Sequence, residues 1–149
     1  MRIIRVFLAV LHIFVGIGAV AGGLAAILNP VAPMGLAAKS IPGFPFDSFL
    51  IPGIILFGIV GLGNLAATVP VLLKRRWLGY SSGVLGCALM GWIVIQCVML
   101  GSVVALHLIF FALGAAIACL ALAALTVEGL WPGTWVADFL TSAVPRKTD

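Results

Sequence analysis

The sequence predicts an all-α membrane protein, with four membrane-spanning helices in an antiparallel bundle and a C-terminal amphipathic helix in the membrane interface. Composition is the first reason: 64% of the 149 residues are apolar, only 8% are charged, and the mean hydropathy is +1.32. Soluble domains carry about 25% charged residues. The second reason is that the apolar residues form four long runs, each longer than the roughly 20 residues that cross the hydrocarbon core of a bilayer.

The first run covers residues 6–28 and is interrupted only by His12. A signal peptide is the alternative interpretation, because residues 19–21 (AVA) resemble a small-residue cleavage site. The run continues past that site and exceeds the roughly 7–15 apolar residues of a signal peptide. We therefore predict an uncleaved first helix. Residues 29–49 follow with four prolines, which prevent a continuous helix. We expect this apolar loop to lie on the membrane surface or to fold over the bundle.

The other three spans are predicted at residues 50–73, 77–100 and 103–127. Asp47 or Ser48 is expected to cap the second helix, since short polar side chains satisfy the free N–H groups of a first turn. The links between the second, third and fourth spans are very short. Short links imply antiparallel neighbours in the bundle. Residues 1–127 would thus form one four-helix transmembrane domain.

Residues 128–149 are too polar to cross a membrane. Within them, apolar residues that include two tryptophans recur at helical spacing, with polar residues between them. This pattern predicts an amphipathic helix in the interface, where tryptophan rings prefer to lie. A disordered tail is the alternative.

The basic residues predict the orientation. With four spans, both termini lie on one side, together with seven basic residues, whereas Lys39 alone lies on the other. The side richer in Lys and Arg is cytoplasmic. We therefore expect a bacterial inner (plasma) membrane protein with cytoplasmic termini, a periplasmic loop at 29–49 and no dual topology. The seven basic residues on the cytoplasmic side are Arg2, Arg5, Lys74, Arg75, Arg76, Arg146 and Lys147.

The net charge of +4 forms no basic stripe on a polar face, so nucleic-acid binding is disfavoured.

Small residues predict how the helices meet. The third span has Gly79, Gly83, Cys87 and Gly91 at intervals of four, and small residues allow close contact between membrane helices. This stripe predicts a tight bundle and gives weaker support to self-association. The three cysteines occur singly within apolar runs, so we expect small buried residues and neither disulfides nor a metal site.

No Asp, Glu, Lys or Arg lies within the predicted spans. This disfavours a carboxylate proton relay, a metal-dependent phosphotransferase, a charged ion pathway and the small four-helix exporters that use a membrane-embedded glutamate. His12 lies ~10 Å from Arg5 along the helix, and Asn64 lies ~15 Å from Lys74. The two are therefore at similar depth, and we expect an interhelical polar pair.

A second polar layer is predicted towards the opposite face, where Asp47, Trp92, Gln96 and His107 lie. It could bind a quinone or a lipid head group, or it could consist of interhelical hydrogen bonds worth about 0.6 kcal/mol per pair. A haem held between His12 and His107 is disfavoured, since their depths differ by more than ~10 Å. We find no catalytic or metal-binding constellation and expect no cofactor.

Three stretches carry a resemblance: residues 45–53 (PFDSFLIPG), 91–96 (GWIVIQ) and 106–114 (LHLIFFALG). In this order, with the basic cluster between the first two, they resemble a broad group of small four-helix bacterial membrane proteins of uncharacterised function, over residues 14–120. A fainter similarity is to DoxX-like proteins, some of which are linked to quinone-dependent oxidation. The resemblance implies the architecture and assigns no functional residue.

The leading functional prediction is a non-enzymatic structural or accessory protein that works by association with another membrane protein or with itself. The first alternative is a site in the outer leaflet for a quinone, lipid or other hydrophobic small molecule. The second alternative is a channel or transporter formed by an oligomer.

Overall fold

The computed structural model describes residues 1–35, 37–41 and 44–143, which fold into an all-α bundle. Four long helices form the bundle, and a fifth, short helix follows them in the chain. At about 1.5 Å per residue, 23 residues span about 35 Å, which exceeds the ~30 Å hydrocarbon core. All four are long and apolar enough to cross a membrane, so the chain has the architecture of a multi-pass membrane protein. The helices are α1 (Arg2–Leu28), α2 (Leu50–Leu72), α3 (Leu78–Leu100), α4 (Ala105–Val127) and α5 (Gly133–Ala143).

The observed helix boundaries differ from the predicted ones by a few residues. Helix α1 already begins at Arg2, so that Arg2 and Arg5 lie in its first turn instead of preceding it. Between α3 and α4, Gly101 adopts a left-handed conformation with φ of 60°, and Val104 is extended. A left-handed glycine commonly ends a helix because it has no Cβ to clash. The turn therefore occupies residues 101–104, and α4 begins at Ala105.

Helix α2 is not regular throughout. Its first residues are α-helical, Leu56–Leu62 form a π-helical segment, and Gly63–Leu72 are α-helical again. Such π segments within helices are frequent at functional sites. The residue that caps α2 is Phe49, which makes no side-chain cap bond; the hydroxyl of Ser48 accepts a weak hydrogen bond from the N–H of Leu50, at 3.4 Å.

The four helices pack as two close pairs, α1 with α2 and α3 with α4. Glycines permit the close approach. A Cβ on Gly23 would lie 2.6 Å from the backbone nitrogen of Phe57, and one on Gly86 would lie 2.8 Å from that of Ala118. The predicted stripe on α3 is only partly correct. Gly79 and Gly83 face α4, whereas Gly91 is exposed and has no neighbour that a Cβ would meet.

The cysteines differ from expectation. Cys87 and Cys119 are exposed on the surface of the bundle, and Cys97 is partly buried. The closest contacts within the pairs are made at glycines, such as Gly23 and Gly86, which allow the backbones to approach. The cysteines therefore occupy positions on the outer surface of the helices.

The two ends of the bundle differ. The termini end comprises residues 1–5, the α2–α3 link at 73–77, and residues 128–143. The loop end comprises the described residues of the segment 29–49 and the α3–α4 turn. At the loop end, the chain folds back over the bundle: Ala26, Ala38 and Phe49 form a second apolar cluster. The ring of Phe44 packs on that of Phe49 with centroids 4.7 Å apart.

Helix α5 is held against the termini end. The backbone of Gly133 contacts that of Thr126 in α4, and the Tyr80 hydroxyl donates a 2.7 Å hydrogen bond to the carbonyl of Trp131. Trp135 and Phe139 remain exposed, with their rings stacked at 6.0 Å. The predicted tail is therefore helical over 133–143, while residues 144–149, with Arg146 and Lys147, lie outside the described residues. Its position in the membrane interface stays a prediction.

Candidate functional site: a cavity at the loop end and a buried polar cluster

A cavity of about 470 Å³ lies at the loop end, which we call the loop-end cavity. All four long helices line it, together with residues of the loop that folds over the bundle. Its walls are mostly apolar and come from the second half of α1, the first half of α2, the second half of α3 and the first residues of α4. Pro33, Ile41 and Phe49 line it from the loop side.

Four polar side chains line this cavity: Trp92, Gln96, Ser102 and His107. The indole Nε1 of Trp92 is buried and has no hydrogen-bond partner among the described residues. Trp92 as a whole is only 5% exposed, so water at the surface does not satisfy this donor either. Buried donors in proteins are nearly always paired, and an exception requires an explanation. Trp92 therefore lines the cavity and also carries a buried N–H group that has no acceptor among the described residues.

His107 has a structural role as well as a place in the cavity wall. Its Nδ1 accepts a 3.3 Å hydrogen bond from the backbone N–H of Val104 and so caps the N-terminus of α4. When Nδ1 of a neutral imidazole accepts, the proton is on Nε2. His107 thus carries a second N–H donor. Gln96 is partly buried and can both donate and accept through its amide.

Asp47 does not belong to this group of residues. The structure places it on the exposed surface of the loop, and it does not line the cavity. The reason is the course of the chain before α2: Phe49 turns inwards and fills the position under the loop. Of the four predicted residues, Trp92, Gln96 and His107 line one cavity, and Asp47 lies outside it.

A buried polar cluster, formed by His12, Asn64 and Ser82, joins three helices nearer the termini end. Nδ1 of His12 lies 2.7 Å from Oδ1 of Asn64, and Nε2 lies 2.9 Å from Oγ of Ser82. All three residues are fully buried. The amide nitrogen of Asn64 donates a 2.7 Å hydrogen bond to the carbonyl of Val60, which lies within the π-helical segment.

These contacts define the direction of the hydrogen bonds. Because the Asn64 nitrogen already donates to Val60, its oxygen faces His12 and accepts from Nδ1–H. In a neutral imidazole, Nε2 then has no proton and accepts from the hydroxyl of Ser82. The chain of hydrogen bonds runs from Ser82 through His12 to Asn64, and it satisfies both ring nitrogens within the membrane-spanning part of the bundle.

A hydroxyl, an imidazole and an amide in this order resemble the nucleophile, base and orienting group of hydrolases. A nucleophile has to reach a substrate, however, and Ser82 is fully buried. None of the three residues lines the loop-end cavity. What the arrangement does in this conformation is tie α1 to α2 and α3.

Ser82 is the residue that the sequence analysis missed. Counted from Arg76, it lies ~9 Å along the helix, which is close to the depth of His12. Depth alone could therefore have found it. The neighbouring Ser81 shows why serine is a weak signal, since its hydroxyl bonds to the carbonyl of Leu78 in its own helix. Serines often satisfy themselves locally in this way.

Within the part of the chain that the structure describes, no group of three or more His, Cys, Asp or Glu could hold a metal ion. No family model, no curated protein and no solved structure matches the chain. The resemblance drawn from residues 45–53, 91–96 and 106–114 therefore stays a prediction, and function is argued from the site itself.

Proposed function

We propose that this membrane protein is non-enzymatic and binds a membrane-soluble small molecule with a carbonyl-type acceptor in its loop-end cavity. The observation that carries the proposal is the unpaired Nε1–H of Trp92. A buried donor without a partner costs about 1–3 kcal/mol. An oxygen on a bound molecule that accepted a hydrogen bond from this N–H would remove that cost, so the cavity would favour such a ligand over a hydrocarbon.

The residues that line the loop-end cavity are of the types that bind such ligands. Binding sites for small molecules are mostly apolar, with a few polar groups that fix orientation, and have volumes of about 300–1,000 Å³. The loop-end cavity has about 470 Å³ and combines apolar walls with Trp92, Gln96 and His107. A quinone carbonyl and a lipid ester carbonyl share the required chemistry, and the experiment below distinguishes them.

The two other predicted functions have less support. The closest glycine contacts, such as Gly23 with α2 and Gly86 with α4, join helices of the same chain. They account for the bundle itself and do not call for a partner. Apolar side chains, including Val15, Leu89 and Ile117, fill the core of the bundle. Such packing does not favour a conducting path through a single chain, and a channel formed by an oligomer stays a prediction.

The proposal extends to orientation. The count of seven basic residues against one supports cytoplasmic termini in a bacterial inner membrane. The loop end would then face the periplasm, and the cavity would take its ligand from the outer leaflet.

The test uses the full chain purified in a mild neutral detergent. A short-tailed quinone, a diacylglycerol and a saturated hydrocarbon of similar length are added separately, and the unfolding temperature and native mass spectrum are recorded. We expect one of the two carbonyl compounds to bind and to raise the unfolding temperature, and the hydrocarbon to do neither. Binding of the hydrocarbon alone, or of none of the three, would overturn the proposal.

Two variants assign the effect to the cavity. Trp92→Phe keeps a ring and removes the donor, so ligand affinity should fall roughly 2- to 10-fold, which corresponds to the net value of one hydrogen bond. Gln96→Leu should act in the same direction. Trp77→Phe is the matched control, because Trp77 is exposed at the termini end and does not line the cavity. Equal losses for Trp92→Phe and Trp77→Phe would place the ligand elsewhere.

A further inference from the structure

A groove of about 600 Å³ runs along the outside of the bundle at the termini end, between α1 and α2. We call it the basic groove, because Arg2, Arg5 and Lys74 line it. No carboxylate among the described residues lines it. Three cations thus converge on one concave surface without a protein counter-charge in its walls. Neither the loop-end cavity nor the buried polar cluster includes any of these residues.

Helix α1 adds to the positive potential at this position. Its first turn contains no acidic residue, and no side chain caps it. The N-terminus of a helix carries the positive end of the macrodipole, so arginines in the first turn are placed against the usual preference. An anion bound beside Arg2 and Arg5 would compensate both the side-chain charges and the dipole.

The rest of the groove is apolar. Below the arginines, Val6, Ala9, Val10 and Ile13 follow on one face of α1, and Val71 and Leu72 line the α2 side. From Arg2 to Ile13 the helix rises by about 16 Å. One leaflet contributes about 15 Å of hydrocarbon, half of the ~30 Å core. The apolar part of the groove, from Val6 to Ile13, rises by about 10 Å and so covers roughly two thirds of the hydrocarbon of one leaflet, with the charges above it at the head-group level.

Backbone geometry places Lys74 at the rim. Lys74 has a φ of 56°, and it is the only residue other than glycine with a positive φ in the described part of the chain. The N–H of Arg75 bonds to the carbonyl of Pro70 at 2.9 Å and closes the turn in which Lys74 lies. Non-glycine residues adopt this conformation at an energetic cost. Lys74, which completes the cationic rim of the basic groove, is the residue that adopts this unfavourable backbone conformation.

We infer that the basic groove binds one anionic phospholipid, with its phosphate between Arg2, Arg5 and Lys74 and an acyl chain along Val10 and Ile13. Basic pockets between transmembrane helices bind anionic head groups in this manner. In the orientation proposed above, the groove opens to the cytoplasmic leaflet, which carries the anionic lipids. The inference does not depend on the ligand of the loop-end cavity.

The experiment uses the full chain in a neutral detergent, with binding measured by native mass spectrometry. Dioleoyl phosphatidylglycerol, dioleoyl phosphatidylcholine and inorganic phosphate are titrated separately. We expect tight binding of one phosphatidylglycerol and weaker binding of phosphatidylcholine, because only the former has a net charge. Equal binding of the two lipids would overturn the inference. Binding of inorganic phosphate as tight as that of phosphatidylglycerol would also overturn it, since the apolar wall would then contribute nothing.

Matched variants separate the groove from the general surface charge. Arg5→Gln and Lys74→Gln should each weaken phosphatidylglycerol binding about fivefold, the usual value of one cation near an anionic lipid. Arg75→Gln and Arg76→Gln remove the same charge from the same end but lie outside the groove. They should leave the affinity within about twofold. Equal losses for Lys74→Gln and Arg75→Gln would show a diffuse charge effect and refute the groove.

Discussion

The α3–α4 contact gives the sharpest prediction, because two glycines of α3 differ completely in their surroundings. A Cβ at Gly86 would lie 2.8 Å from both the nitrogen of Ala118 and the oxygen of Gly114. Both atoms belong to the backbone of α4, so no side chain can rotate away. A Cβ at Gly91 would meet nothing within 4 Å. We predict that Gly86→Ala destabilises the bundle and that Gly91→Ala stabilises it.

The magnitudes follow from two opposing effects. Alanine is favoured over glycine inside a helix by about 0.5–1 kcal/mol, and both variants gain this. Overpacking a close contact costs about 1–3 kcal/mol, and only Gly86→Ala incurs it. We therefore expect a net loss of up to about 2.5 kcal/mol for Gly86→Ala and a gain of about 0.5–1 kcal/mol for Gly91→Ala.

The assay is unfolding of the full chain in mixed micelles by increasing sodium dodecyl sulfate, followed by near-UV and far-UV circular dichroism. Native mass spectrometry of each variant reports the oligomeric state. A loss of stability in Gly91→Ala as large as that in Gly86→Ala would refute the close α3–α4 contact at Gly86. Loss of an oligomer in Gly91→Ala would in addition favour the predicted self-association through the exposed part of the stripe.

Three further predictions concern the polar cluster, the topology and α5. In a double-mutant cycle, His12→Phe and Asn64→Leu should couple by about 0.6–1.7 kcal/mol, from the average to the maximum measured for interhelical hydrogen bonds in membranes; additive losses would mean that this bond contributes nothing. In a background without the native cysteines, a cysteine in place of Asp47 should react with an impermeant maleimide in intact cells, and one in place of Arg75 only after permeabilisation; the reverse pattern would refute cytoplasmic termini. In a variant whose only tryptophan is Trp135, lipids brominated near the glycerol should quench fluorescence more than lipids brominated near the chain ends, and no quenching by either would place α5 in water.

Much of the architecture could be predicted from the sequence, because length and hydropathy act on every residue of a span. The four runs became α1 to α4, and the short link at 101–104 brought α3 and α4 together as antiparallel neighbours. The depth of a residue along a helix can be predicted from the sequence equally well. His12 and Asn64 were placed at one level by counting residues from the basic ends, and their side chains lie 2.7 Å apart.

Which side of a helix faces its neighbour was harder to predict. The stripe of small residues on α3 suggested Gly91 as a contact, but Gly86 is the residue that meets α4 closely. A spacing of four drifts around a helix of 3.6 residues per turn, by about 40° at each step. From Gly79 to Gly91 the drift is about 120°, enough to move the last residue out of the interface. Seven residues make almost two full turns, which keeps Gly86 on the side of Gly79.

Asp47 shows a different limit. Its depth was estimated from its place before α2, but loop residues have no helical rise from which to count. The structure shows that the neighbouring Phe49 occupies the inner position and leaves Asp47 exposed. Whether a loop residue points inwards depends on local packing, in this case the contact between Phe44 and Phe49.

The separation of the two polar regions has a functional consequence. The His12–Asn64–Ser82 cluster ties α1 to α2 and α3, and none of its members lines the loop-end cavity. Between the two regions, apolar core residues and glycine contacts hold the helices together. The ligand proposed for the loop-end cavity would therefore contact none of the cluster residues. Asn64→Leu, which removes a hydrogen bond of the cluster, should accordingly lower global stability more than it changes ligand affinity. Trp92→Phe should instead lower ligand affinity more than global stability.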